Sequence, residues 1–337
     1  MEGRYPETRL RRLRKNDNLR RLVRETRISL DQLVMPYFVR DGRNIREPID
    51  SMPGQFRYSP DVLLEELQVL EEAGVRAVLL FGIPEAKDSS AFGAWDADGI
   101  IQKTCREIKK RFQDLLVMTD VCLCAYTEHG HCGVLDTNGC VDNDMTLQIL
   151  QKTALSHAEA GSDIVAPSGM MDGVVHTIRQ CLDQNQFHDT PIMSYSAKYA
   201  SSFYGPFRDA AHSAPAFGDR KTYQMDPANI KEAMREIALD IAEGADIVMI
   251  KPGLPYLDVI REASTTYPVP VAAYAVSGEY SMVKAAAEKG YLDERKVMFE
   301  MMTSLARAGA QIFITYFAKN IALSKDTPEA AQVLALH

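Results

Sequence analysis

No apolar run in this chain approaches the ~18 residues that a membrane helix requires, so a helical membrane span is not expected. The opening residues, Met1-Glu-Gly-Arg-Tyr-Pro6, lack the apolar core of a secretory signal. Cys105, Cys140 and Cys181 are scattered, at no spacing that reads as a disulfide framework. These absences lead to the expectation of a cytoplasmic protein with reduced thiols. No Gly-rich phosphate turn follows the first apolar run, as a dinucleotide-binding open sheet would show. An excess of positive charge is missing too: the 337 residues carry a formal net charge of -8. That balance argues against nucleic acid as a general partner.

Half of the six cysteines, by contrast, crowd into one stretch, Asp120-Val-Cys-Leu-Cys-Ala-Tyr-Thr-Glu-His-Gly-His-Cys-Gly133. Cys122, Cys124 and Cys132 lie within eleven residues, around a polar turn. An apolar run, Leu-Leu-Val-Met-Thr, delivers Asp120 and then this loop. Three thiolates suit Zn(II), and three protein ligands leave a position open for water or substrate. A closed structural site with His129 or His131 as fourth ligand is the competing reading.

The rest of the chain alternates apolar runs with helix-like stretches. The runs are Gln32–Phe38, Arg76–Phe81, Leu115–Val121, Asp163–Pro167, Pro191–Tyr195, Asp246–Lys251, Val269–Val276 and Gln311–Phe317. Asp61–Glu72 and Ala228–Glu243 carry apolar residues at helical spacing. Near-continuous apolar runs suit parallel strands covered on both faces. Eight β-then-α units predict an α/β protein, a (β/α)8 or TIM barrel, with a doubly wound sheet as the alternative. Before it, residues 1–30 form an extended N-terminal arm with a basic cluster from Arg4 to Arg27. In an acidic chain such an arm is expected to grip another subunit. Residues 31–337 would form the barrel. Gly82–Gly99 reads as a long loop, and about 199–226 as a longer one of the kind that serves as a lid.

In such a barrel the chemistry sits at the C-terminal strand ends. Those ends carry Asp120 with the cysteine loop, Ser168, Lys198, Lys251, Ser277 and Tyr316. Two lysines converging on a metal site point to carbonyl chemistry. A lysine with a pKa of ~10.4 is neutral only about once in 2500 at pH 7. Burial and neighbouring cations both favour the neutral, nucleophilic form.

The longer stretches make a specific resemblance. DVCLC…HGHCG, YSAKYASSFYGPFRDAAHSAPAFGDRKTYQMDPAN, VMIKPGLPYLD, VSGEY and ITYFA resemble the porphobilinogen synthase (5-aminolevulinate dehydratase) family, from Tyr5 almost to the C-terminus. The resemblance implies a hydro-lyase that joins two 5-aminolevulinate molecules into porphobilinogen, losing two waters, in tetrapyrrole (haem) synthesis. It implies a homo-octamer built with the arm. By motif, Lys251 would form the Schiff base with the first substrate and Lys198 with the second. Cys122, Cys124 and Cys132 would hold zinc. Arg208 and Arg220, assisted by Gln224, would bind the second substrate's carboxylate; Ser277 and Tyr316 would bind the first's. Asp120 would orient an amino group or shuttle protons, Ser168 would support the lysines, and Phe81 and Tyr274 would wall the pocket. Glu236, four residues before Asp240 on one helix face, would hold an allosteric Mg(II) through water.

The chain departs from the family's usual pattern at Gly169 (Asp), Val174 (Arg), Ala275 (a polar residue) and Ala125 (Pro), none of them a lysine or cysteine of the site. The alternatives are a class I aldolase, which needs one lysine and no zinc, and a noncatalytic zinc scaffold, which leaves Lys198, Lys251 and the lid arginines without a task.

Overall fold

The structure, a computed structural model, describes residues 3–335. Residues 1–2 and 336–337, the outer ends of the expected arm and barrel, lie outside the described residues. Among the described residues ten strands follow one another: β1 Leu33–Arg40, β2 Arg46–Pro48, β3 Phe56–Tyr58, β4 Ala77–Ile83, β5 Leu116–Val121, β6 Ile164–Pro167, β7 Met193–Lys198, β8 Ile247–Lys251, β9 Val271–Ala275 and β10 Ile312–Thr315. Eight of them line up in the order β6-β5-β4-β1-β10-β9-β8-β7, every neighbouring pair parallel. A parallel bridge between Val165 and Ile192 joins β6 to β7 and closes the ring. The fold is the expected (β/α)8 barrel.

Its strands are buried along almost their whole length, as in β4, where all seven residues are enclosed. The outer helices bury one stripe each. Pro60–Ala73 starts with Pro60 at its first turn, turns Leu63, Leu67, Leu70 and Ala73 inward, and stops at Gly74, whose φ of 106° closes the helix. The expected strands and helices thus lie within a few residues of the observed ones.

Three details differ from expectation. A small hairpin, β2 antiparallel to β3, is inserted after β1, and β3 pairs with the end of β1. The segment 199–226 is not all loop: it holds a 3-10 turn, Ser202–Tyr204, and a short helix, Gly205–Ala210. β7 continues three residues past Tyr195, to Lys198. The arm holds a 3-10 turn, Leu10–Arg14, and a helix, Asp17–Leu22, and neither buries a residue. Among the described residues no helix is long and apolar enough to cross a membrane.

Candidate active site

The end of β7 explains how both lysines reach one place. Its register against β8 runs Ser194 to Val248, then Ala197 to Ile250, so β7 contains one extra residue. That bulge resets the alternation of side chains, and Lys198 comes to the side where Tyr195 lies. Lys198 is then registered directly with Lys251, on strands that neighbour at about 5 Å.

Lys251 is 4% exposed. Its Nζ lies 4.1 Å from the centre of the Tyr274 ring and 5.0 Å from those of Tyr195 and Phe207. Tyr204 closes the cage and donates from its hydroxyl to the Lys251 carbonyl at 3.1 Å. Burial first, and then the charge of Lys198, push the Lys251 amine down to about 7. Lys198 lies 5.5 Å from the same Tyr195 ring and donates to the Ser168 carbonyl. Asp120 lies at the end of β5; burial raises its carboxyl, with Lys198 and then Lys251 acting the other way.

The cysteine loop leaves β5 beside these groups. The three Sγ atoms of Cys122, Cys124 and Cys132 lie within 4.8 Å of one another, all buried, and Cys122 is 3.5 Å from Cys124. Hydrogen bonds from the Cys122 and Cys124 thiols hold Cys132 well below the usual thiol range. Three buried sulfurs converging on one point, one of them already favoured as thiolate, fit a thiophilic metal ion. The histidines of the loop are otherwise occupied. His131 Nδ1 pairs with the Tyr223 hydroxyl at 3.1 Å and Nε2 with the Phe217 carbonyl at 3.0 Å. His129 Nδ1 accepts from the His131 amide. Among the described residues the cluster of ligand atoms holds the three sulfurs and no histidine nitrogen.

The segment 199–226 covers this end of the barrel. Its Arg220 is buried and donates from Nη2 to the carbonyls of Gly130 and Ser213. Burial works against its charge, but the Cys132 and Cys124 charges outweigh this and raise it. Arg208 is half-buried; burial and then Arg220 lower it. Nε of each arginine, both amide atoms of Gln224, Asp120 Oδ1 and the Tyr195 hydroxyl are buried without a protein partner. Polar atoms in that state ask for a ligand. Ser277 accepts from the Phe207 amide at 2.9 Å, and the Tyr316 and Tyr274 hydroxyls lie 3.0 Å apart. Phe81 packs edge-on against Phe207, their ring centres 5.0 Å apart.

One expected site residue stands apart. Glu236 lies on the outer helix Ile230–Glu243, lining a cavity of about 530 Å³ with Asp172, Asp226 and Glu232. Burial first, then Asp240 and Asp172, raise it to about 7. Asp240 turns inward to accept from the Ser194 hydroxyl at 2.6 Å. Sequence reading misses Tyr195, Tyr204 and Phe207, three of the four rings around Lys251. The bulge that sets Lys198 beside Tyr195 leaves no mark on the apolar pattern.

Fold and site together define a (β/α)8-barrel enzyme whose paired lysines sit beside three buried thiols that could hold a metal ion. The family model described as "Delta-aminolevulinic acid dehydratase" matches residues 7–324. A delta-aminolevulinic acid dehydratase of Methanothermus sociabilis is 58% identical over 317 residues, covering 94% of this chain and 98% of its own length. That of Synechococcus elongatus is 54% identical over 321 residues, with the same shares of 94% and 98%. Among solved structures, the Toxoplasma gondii ME49 delta-aminolevulinic acid dehydratase (porphobilinogen synthase), in complex with its reaction product porphobilinogen, superposes with a TM-score of 0.92. It is 46% identical, over 94% of this chain and 91% of that one. The chain belongs to the delta-aminolevulinic acid dehydratase family.

Proposed function

We propose that this chain is a porphobilinogen synthase that condenses two molecules of 5-aminolevulinate, with loss of two waters. The observation that carries the reading is the registered pair Lys198–Lys251 beside three thiols, with one amine poised near neutrality. An imine at each lysine holds one substrate. Lys251 takes the first, since its amine attacks the ketone only when neutral; Lys198 takes the second. Arg208 and Arg220 bind the second substrate's carboxylate through the two-pronged geometry of guanidinium, with Gln224 beside them. Ser277 and Tyr316 bind the first's. Asp120 orients an amino group or carries protons between the lysines, Ser168 supports both, and Phe81 and Tyr274 wall the pocket. Cys122, Cys124 and Cys132 hold zinc. When bound, zinc supplies a Lewis acid that polarises the second substrate.

Magnesium at Glu236 is an allosteric activator in this reading, bound through water among acidic neighbours. The arm, residues 1–30, makes subunit contacts in a homo-octamer, and residues 31–337 are the catalytic unit with 199–226 as its lid. The protein works in the cytoplasm, without nucleic acid or membrane partners.

Incubation with 5-aminolevulinate and zinc should give a pyrrole that colours with an acidic aldehyde reagent. Chelation or thiol oxidation should abolish the colour, and zinc should restore it to the chelated enzyme. Colour at full rate from a verified zinc-free sample removes the metal from the proposal. No colour under any metal condition removes the activity.

A further inference from the structure

The hairpin β2–β3 takes no part in the chemistry above, yet it holds the lid. Arg57 of β3 is 5% exposed. Its Nε donates to the Ala210 carbonyl at 2.7 Å and Nη2 to the Asp209 carbonyl at 2.8 Å. Nη1 donates to Glu47 of β2 at 2.7 Å, and Glu47 also pairs with Arg40. Nearby, Ser51 donates to the Asp209 carboxylate at 2.6 Å and Lys87 to the His212 carbonyl.

The lid helix Gly205–Ala210 has six residues. So short a helix is not stable alone; amides of the following turn reach the Phe207, Arg208 and Asp209 carbonyls, while the Ala210 carbonyl takes its donor from Arg57. Arg57 supplies donors and positive charge to that end. A buried cation is costly unless it is paired, so an apolar side chain would serve better if filling space were the task. The helix is held at two places by different groups. Its first half is tied to the barrel by the Ser277 hydroxyl, which accepts from the Phe207 amide. Its second half, which carries Arg208, is tied through Arg57.

We infer that Arg57, braced by Glu47, is a positioning residue: it clamps the end of the lid helix so that Arg208 stays aimed at the second substrate's carboxylate. This rests on the role given to Arg208 above. The two halves of the helix make the effect selective. Loss of the clamp releases Arg208 and leaves the first substrate's site on Lys251 intact.

The test is Arg57→Gln in the full-length enzyme, with three readouts. KM for 5-aminolevulinate in pyrrole formation should rise about tenfold, the worth of hydrogen bonds to a charged group, with kcat changed far less. Borohydride trapping of 5-aminolevulinate on Lys251 should match the parent enzyme. Hydrogen exchange of the 209–214 amides should quicken, and Arg57→Lys should recover part of both effects, since lysine returns the charge but not the fork. Unchanged KM and unchanged exchange overturn the clamp. So does a parallel fall of kcat, trapping and melting temperature, which would mark ordinary structural damage. Should Arg57→Gln not fold, Glu47→Gln combined with Lys87→Met carries the same comparison at half-buried positions, expected to raise KM about threefold; no change in KM or exchange overturns the proposal. If the parent enzyme forms no pyrrole, the activity proposed above has failed, while the exchange comparison still decides whether Arg57 holds the lid.

Discussion

At the scale of the residue, the proposed chemistry turns on how one amine loses its proton. Lys251 ends an apolar strand inside four aromatic rings, so burial disfavours its charge, and Lys198 beside it adds repulsion. With the amine near 7, the neutral fraction grows as pH rises through that value. Borohydride trapping of 5-aminolevulinate on Lys251 should accordingly increase between about pH 6 and 8 and then level off. Removing the neighbouring cation in Lys198→Met raises the Lys251 amine, so the same rise should move to higher pH. A trapping profile that ignores pH, or one that does not move in Lys198→Met, would contradict this coupling of the pair. Lys251→Arg keeps a charge but forms no imine, and should lose nearly all turnover. Lys198→Arg should be almost as inactive, yet still trap substrate on Lys251. Label confined to Lys198 would reverse the order of binding. Lys251 is legible in the sequence because a charge that closes the apolar run Val-Met-Ile is costly to bury unless it has a task. The rings around it are not, because three of the four come from places that only the closed barrel brings together.

At the scale of the element, the strands announce themselves and the insertions do not. Eight buried strands need apolar residues on both faces, and that pattern is visible along the chain. β2 and β3 have three residues each, β2 is largely exposed, and Pro48 ends it; nothing in so short a stretch has a period to read. The lid helix, of six residues with Pro206 in its first turn, is hidden for the same reason. Its base is set by close contact. A Cβ at Gly278 would meet the Phe203 carbonyl oxygen at 2.5 Å and the Phe203 Cα at 2.8 Å. Backbone cannot swing aside as a side chain can, so Gly278→Ala should displace the turn Ser202–Tyr204. The expected cost is about 1–3 kcal/mol in stability, with reduced turnover, measured by denaturant unfolding alongside the pyrrole assay. Full stability and full activity would mean that the turn does not rest on Gly278. The outer helix Ile230–Glu243 is a separate case, since Asp240, expected to share a face with Glu236, is tied inward to Ser194. Glu236→Ala should abolish stimulation by magnesium and spare the zinc-dependent rate. In the parent enzyme the stimulation should weaken as pH falls through about 7, because protons then compete with the cation for the Glu236 carboxylate. A variant that still responds to magnesium would exclude Glu236 as its ligand.

At the scale of the whole molecule, the arm is the part whose form the single chain does not account for. Tyr5, Leu10 and Leu22 are each more than 70% exposed, at 77%, 73% and 79%. The helix Asp17–Leu22 has six residues and buries none of them, whereas an isolated helix in water needs about 12–15 residues to be even marginal. Its charge does not hold it either, since Arg20–Asp17 is an exposed pair and such pairs contribute little. Only beyond it does the chain join the body, where Ile28 is buried and bridges to Leu334. A segment that is helical, apolar in part, strongly basic and unsupported by its own barrel is explained if it lies on another copy, whose net charge is negative. Burying each exposed leucine there would contribute about 1.5–3 kcal/mol, enough for several together to hold an assembly. Deleting residues up to about Arg27 should therefore lower the mass found by light scattering, to a smaller oligomer with little activity. The barrel itself should keep its circular dichroism spectrum, because no residue of Leu10–Arg14 or Asp17–Leu22 is part of its core. High salt should weaken the intact assembly in the same direction, since it screens the attraction between a basic arm and an acidic body. A truncated protein of unchanged mass would leave the arm as a solvated extension, and the subunit contacts would then have to come from the barrel's own surface.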